Sequence, residues 1–193
     1  MAAVGRVVAA MAAQPREHFL PRSARRHAGY DGPLSIGHGQ TNSQPRTVRA
    51  MLELLDVRPG HRVLDVGSGS GWTTAILGEL VGPQGSVLGL ERVPDLVDRG
   101  GRALAECGMP WASIRTAVRG TLGAPDEAPF DRVLVSAMAR RVPDELVAQL
   151  RPHGILVVPV SSRMLRIERD DEAPEGRRVT EHGLYRFVPL VVD

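Results

Sequence analysis

The chain has 193 residues, 42% apolar and 24% charged, which suits one ordinary domain; with 4% aromatics its core must be aliphatic. Its 24 basic residues are all arginine and face 22 acidic ones, and the resulting net charge of +2 gives no support to nucleic-acid binding. One cysteine, Cys107, excludes an internal disulfide and a zinc quartet. No apolar run reaches the roughly 18–20 residues of a membrane span, so a soluble, intracellular chain is expected.

In chain order, a short apolar helix is expected over residues 4–13, stopped before Pro15; its run after Arg6 lacks the strong basic start of a signal peptide. An Arg/Gly/Pro-rich loop follows. Ser43-Gln44-Pro45 then announces a helix, with Ser43 as N-cap and Val48, Met51, Leu52 and Leu55 as its buried face.

From Asp56 onward the pattern alternates. Strand 62–66 runs into Gly67-Ser68-Gly69-Ser70-Gly71 and a helix ending near Leu80. Strand 87–90 ends at Glu91, before a helix over 94–106. Strands at 113–118 and 132–135 come next, then a helix over 143–150 and a strand over 155–160. Two last strands, 164–168 and 184–191, flank a polar turn over 170–178 and read as an antiparallel hairpin. Strands alternating with helices predict a doubly wound α/β domain: a mostly parallel seven-stranded sheet, helices on both faces and an antiparallel C-terminal edge. Residues 1–55 form a helical front segment with a loop for the substrate, and residues 56–193 the main body, in one structural domain overall.

The glycine turn after the first body strand allows close approach of a ligand at the entrance of a helix. Its spacing is G-x-G-x-G, with Trp72 just beyond it. A dinucleotide fingerprint needs its third glycine one position later, and a P-loop needs a lysine, which this chain lacks altogether. Asp65, two residues before the turn, suits a cationic or hydrogen-donating group. Glu91, 24 residues after Gly67, suits the two hydroxyls of a ribose. Turn and acids together describe a pocket for a nucleoside with an amino-acid tail, and S-adenosylmethionine is that ligand.

The stretch Tyr30-Asp31-Gly32-Pro33-Leu34-Ser35-Ile36-Gly37-His38-Gly39-Gln40-Thr41-Asn42-Ser43-Gln44-Pro45 resembles the protein L-isoaspartate (D-aspartate) O-methyltransferases, whose signature runs Ile-Gly-x-Gly-Gln-Thr-Ile-Ser-x-Pro. The resemblance runs from about Val4 to Leu190. It takes in Pro15-Arg16-Glu17-His18-Phe19-Leu20-Pro21, the turn from Asp65 to Gly71, Ala128-Pro129-Phe130-Asp131, Val142-Pro143 and Phe187-Val188-Pro189-Leu190. It implies the Rossmann-like class I methyltransferase fold with a short helical N-terminal extension. It also implies methyl transfer from S-adenosylmethionine to the free α-carboxylate of isoaspartyl residues in damaged protein, a repair reaction. Ser43 would be the active-site serine, with Thr41, Asn42 and His38 on the substrate side. Asp65, Gly67 and Gly69 would hold the methionine end and Glu91 the ribose; Gln40, Ser68, Gly71, Arg92, Arg119 and Gly120 would complete the cofactor side.

A carboxylate is already ionised at neutral pH and a sulfonium is already activated, so this chemistry needs no general base and no metal. Ser43 would orient the acceptor by a hydrogen bond, a role compatible with a helix N-terminus that favours an anion.

Several positions depart from the family pattern. Arg119 stands in Val118-Arg119-Gly120 where the family places an aspartate near the adenine; it could stack on the base or turn to solvent, but accepts no hydrogen bond. Asn42 replaces an isoleucine. Ser161-Ser162-Arg163-Met164 replaces a longer loop, Ala137-Met138-Ala139-Arg140 stands for Ala-Ala-Ala-Pro, and the usual first helix is missing. Two other readings therefore stay open: a relative methylating another peptide or small-molecule carboxylate in a biosynthetic pathway, and a binding module that no longer transfers methyl. The histidines, His18, His27, His38, His61, His153 and His182, show no metal spacing. Arg25-Arg26 and Arg140-Arg141 read as solvated, though either pair could attract an acidic peptide. A cytoplasmic monomer is expected, acting on isoaspartyl protein without nucleic acid or membrane.

Overall fold

The computed structural model describes residues 3–192; Met1, Ala2 and Asp193, at the outer ends of the two expected segments, lie outside the described residues. The front segment comprises helix α1 (Ala3–Ala13), 3-10 turns at Arg16–Phe19 and Arg25–His27, a hairpin of β1 (Leu34–Gly37) and β2 (Gln40–Asn42), and helix α2 (Pro45–Leu55). The body continues with β3 (Arg62–Val66), α3 (Trp72–Val81), β4 (Ser86–Glu91), α4 (Pro94–Glu106), β5 (Ala112–Thr116), β6 (Phe130–Val135), α5 (Asp144–Val147), β7 (Leu150–Val160), β8 (Arg163–Arg169) and β9 (Arg177–Leu184).

The seven-stranded sheet has the order β5-β4-β3-β6-β7-β8-β9. The first five strands are parallel to their neighbours, and β8 and β9 add an antiparallel edge. Strands β3 and β6 lie at the centre, buried on both faces, which is why they read as near-continuous apolar runs. Alternate residues point to opposite faces. Val63, Leu134 and Val157 meet α1 to α4 through Val7, Leu52, Leu55, Ile76, Leu77 and Leu104. Leu64, Val133, Val135 and Leu156 form the other face with Leu146, Ala124 and Ala139. That second face is covered by one helical turn and by loops, so the two helical layers are unequal. Because the front helices share a core with α3, the front segment is packed into the body.

The buried charges of β6 are paired. Asp131 accepts the Arg62 backbone N–H at 2.8 Å and pairs with Arg151 at 2.8 Å. Arg132 donates to the Asp56 and Asp131 carbonyls, and burial lowers its pKa.

Some expectations are corrected. The N-cap of α2 is Gln44, not Ser43, and its side chain makes no capping bond; Asp31 Oδ1 accepts the Arg46 N–H at 3.1 Å. Pro45 opens the helix instead, its fixed φ serving the first turn without a donor. The helix expected over 143–150 is only the single turn of α5, because strand pairing begins at Leu150, opposite Phe130. The third body strand ends at Thr116, not Val118. The last strand is Arg177–Leu184 rather than 184–191. As an exposed edge strand, β9 shows no apolar alternation to announce it, whereas the apolar tail beyond it is used elsewhere. Within the expected front loop, residues 34–42 pair as a hairpin.

Candidate active site

Strand order reverses at β3: the chain moves outward to β4 and β5, then returns to β6 on the other side. Loops leaving the carboxyl ends of β3 and β6 therefore diverge and leave a crevice between them, the place where α/β sheets bind ligands. A cavity of about 480 Å³ occupies it. The glycine turn forms one wall. Gly67 and Gly69 have φ of 82° and 56°, and a Cβ on Gly69 would come within 3.3 Å of Ile36 Cδ1. This backbone faces the cavity because those positions carry no side chain.

Glu91, at the end of β4, forms the next wall and is 6% exposed. Its carboxylate is fixed from behind: the Gly69 N–H donates to Oε2 and the Val93 N–H to Oε1, each at 2.9 Å. Each oxygen retains a further acceptor site, so the group is a rigid acceptor suited to a pair of hydroxyls. Arg92 and Gln40 also line this cavity, while Arg119 reaches it from an exposed position. Thr116, Leu122 and Gly123 close the far side.

Other expected cofactor residues sit behind the wall. Asp65 is fully buried beneath the turn; Thr74 Oγ1 donates to its Oδ2 at 2.7 Å, and Oδ1 has no partner. Burial raises its pKa to about 7, the Thr74 hydrogen bond lowers it, and the nearby Glu91 charge raises it. Ser68 is buried with its hydroxyl unpartnered and packs toward Gly89. Gly71 lies where α3 meets α4: a Cβ there would sit 2.9 Å from Ile114 Cδ1 and 3.2 Å from the Gly100 carbonyl. Neither these three nor Gly120 lines the cavity.

A second cavity, of about 540 Å³, adjoins the first and includes Ser43, Gln44, Arg46, Thr47 and Arg186 in its lining. Thr41, Ser136 and Val188 line both spaces. The front segment thus places Thr41 at the junction and Ser43 two residues further into the second cavity.

Arg16 holds that segment in place. It is buried, and its guanidinium donates to the carbonyls of Tyr30 and Gly32 at 2.8 Å, Asn42 at 3.0 Å and Ser43 at 2.9 Å, and to Asn42 Oδ1 at 2.7 Å. Desolvation lowers its pKa. Asn42, expected on the substrate side, is buried instead, and its Nδ2 donates to Ser70 Oγ at 3.1 Å in the glycine turn. Arg16, Asn42 and Ser70 thereby tie the front loop to the turn. His38, also expected near substrate, lines neither cavity; its Nε2 lies 2.8 Å from Asp95 Oδ2 on α4. Trp72 packs inward and donates to the Gln14 carbonyl at 2.8 Å.

Reading the sequence missed the roof. After β9 the tail crosses the crevice, with the Met138 N–H donating to the Val188 carbonyl at 2.7 Å and the Leu190 N–H to the Met138 carbonyl at 2.8 Å. Val188 to Val192 line the first cavity from this tail. The signal was present in the apolar Phe187-Val188-Pro189-Leu190, but it reads equally as a strand.

The residues fit an S-adenosyl ligand in outline: a glycine cradle, a fixed acid at the neighbouring strand end, and an orphaned buried carboxyl oxygen near the turn. Comparison with known proteins agrees. The family model described as protein-L-isoaspartate(D-aspartate) O-methyltransferase (PCMT) matches residues 1–193. The protein-L-isoaspartate O-methyltransferase of Methanopyrus kandleri is 44% identical over 190 residues, covering 96% of this chain and 83% of its own length. That of Methanocella arvoryzae is 40% identical over 178 residues, 92% of this chain and 94% of its own. A solved chain from Plasmodium falciparum, described as a protein-L-isoaspartate O-methyltransferase in complex with S-adenosyl-L-homocysteine, matches with a TM-score of 0.83 at 25% identity, over 97% of this chain and 91% of that one.

Proposed function

The chain belongs to the protein-L-isoaspartate(D-aspartate) O-methyltransferase family, and on that premise we propose that it transfers methyl from S-adenosylmethionine to the free α-carboxylate of isoaspartyl residues in damaged protein. The observation that carries the reading is the pair of adjoining cavities, one lined by the glycine turn and Glu91, the other by Ser43, with Thr41 at their junction.

Gly67 and Gly69 let the cofactor approach the backbone, and Glu91 accepts from its ribose hydroxyls. Asp65 supports the turn from beneath, accepting from Thr74 Oγ1, rather than touching the cofactor. When bound, S-adenosylmethionine supplies a methyl group on a sulfonium sulfur that is already a good leaving group. Ser43 and Thr41 donate hydrogen bonds that aim the acceptor carboxylate across the junction. No base is needed, because the carboxylate is ionised at neutral pH. The tail from Val188 to Val192 limits water access. Positioning of this kind is worth effective molarities of about 10⁵–10⁸ M. The ester then closes spontaneously to a succinimide, which reopens partly as normal aspartate.

Within this reading, residues 1–55 serve the acceptor and residues 56–193 the cofactor, in one structural domain. A monomer working in the cytoplasm without nucleic acid completes it. No helix among the described residues is long and apolar enough to cross a membrane.

The test uses methyl-labelled S-adenosylmethionine with an isoaspartyl peptide and its normal aspartyl counterpart. Base-labile label in the isoaspartyl peptide alone is the expected result. Label in neither peptide, with S-adenosylhomocysteine still bound, overturns the repair reading and leaves another carboxylate acceptor or a binding module that no longer transfers methyl.

A further inference from the structure

The second cavity carries charge of one sign. Arg46 and Arg186 line it, and no carboxylate does. Arg186 is exposed and meets no carboxylate among the described residues. The Arg46 side chain is 79% exposed and approaches Asp31 at 3.6 Å. That carboxylate is already held by the Arg46 backbone N–H at 3.1 Å and by Gln44 Nε2 at 3.1 Å, which help to keep its pKa below the usual range. Elsewhere the chain pairs many of its surface arginines: Arg49 with Glu53, Arg163 with Glu181 and Arg169 with Asp171. Arg140 and Arg141, exposed on the loop that also supplies Ser136, carry the positive charge along the same end of the sheet.

The reacting carboxylate has to keep a lone pair available for the methyl group, and a guanidinium paired to it would withdraw that density. Neutral hydroxyl donors suit it better, and the half-buried Ser43 is placed to be one. The exposed arginines stand at the opening, where the residues flanking an isoaspartate must pass.

We infer that this cavity selects isoaspartyl segments with acidic side chains beside the damaged residue, Arg46 and Arg186 being the specificity-determining residues. The inference rests on the reading that the second cavity takes the methyl acceptor. Electrostatic complementarity of this kind acts on encounter and selection more than on the chemical step.

Three isoaspartyl peptides differing only in flanking Glu, Gln or Lys test it, with KM and kcat measured for each. Glu should lower KM by about two- to five-fold relative to Gln, the scale of an exposed ion pair, and Lys should raise it. The spread should shrink as ionic strength rises from about 0.01 M to about 1 M and the screening length falls from about 30 Å to about 3 Å. R186Q and R46Q should each narrow it, and R186K should keep most of it. Equal KM values for the three flanks, or a spread unchanged in R186Q and R46Q, overturn the inference while leaving methyl transfer intact. Methyl esters in none of the three peptides overturn the underlying reading and the inference with it.

Discussion

Ser43 contributes one donor to a charged acceptor group, and a hydrogen bond of that kind is worth about 1.5–3 kcal/mol. Ser43→Ala is therefore expected to lower kcat/KM for an isoaspartyl peptide by about ten- to a hundred-fold. Because Ser43 does not cap α2, the loss should leave the melting temperature nearly unchanged. A large fall in stability would return the serine to a structural role. Asp65 gives a prediction with a sign. Its carboxyl titrates at about 7 in the fold against an ordinary 3.8, so between those values the folded chain holds a proton that the unfolded chain has released. Stability then falls as pH rises through that window, and the loss is complete above about 7. Asp65→Asn removes the buried charge and still offers Thr74 an acceptor. The stability of D65N relative to the parent should climb from about pH 4 to 7 and level off beyond. Urea midpoints for both proteins across that range provide the check, and parallel curves would sink the assignment. Both residues were visible in the sequence as types and positions. What it withheld was their surroundings, since full burial of Asp65 depends on α3 closing over β3.

Among the elements, the join between α3 and α4 and the clamp on the front loop matter most. At Gly71, φ is 88° and a Cβ would press on Ile114 and Gly100, so Gly71→Ala should cost about 1–3 kcal/mol. Gly101, inside α4, has nothing within 4 Å of a Cβ position, so Gly101→Ala should instead stabilise by about 0.5–1 kcal/mol. Thermal melts of the two variants should shift in opposite directions. Arg16 satisfies several carbonyls that would otherwise be orphaned, and a lysine lacks the planar fork to reach them. Arg16→Lys is expected to cost about 3 kcal/mol or more and to raise KM for the acceptor peptide, with S-adenosylhomocysteine affinity close to that of the parent. An unchanged KM would show that the loop keeps its shape without the clamp. Helices α2 and α4 and strand β3 were legible because their apolar spacing is local. The hairpin at 34–42 and the strand at 177–184 were not, for their pairing satisfies backbone groups without burying an apolar stripe.

For the whole molecule, strand order converts these local features into a site. The crevice exists because the chain turns back at β3, which brings the turn after β3, Glu91 at the end of β4, the loop after β5 and the tail after β9 around one space. A ligand that binds only the folded chain stabilises it by mass action, about 2.7 kcal/mol at a hundred times Kd. S-adenosylhomocysteine at that excess should raise the melting temperature by about 5–10 °C, at about 2–4 °C per kcal/mol for a chain of this size. No shift would contradict the cofactor assignment of the first cavity. By itself the sequence determined the α/β alternation, the glycine turn with its acids, and the loop bearing Ser43, because helix period, strand period and turn chemistry are written in neighbouring residues. Only the tertiary structure decided that Asp65, Ser68 and Gly71 stand behind the wall, that Asn42 ties the front loop to Ser70, and that the apolar tail roofs the cavity instead of extending the sheet. Those outcomes rest on contacts between residues far apart in the chain, where burial and hydrogen-bond satisfaction across the whole fold, rather than local propensity, select the arrangement.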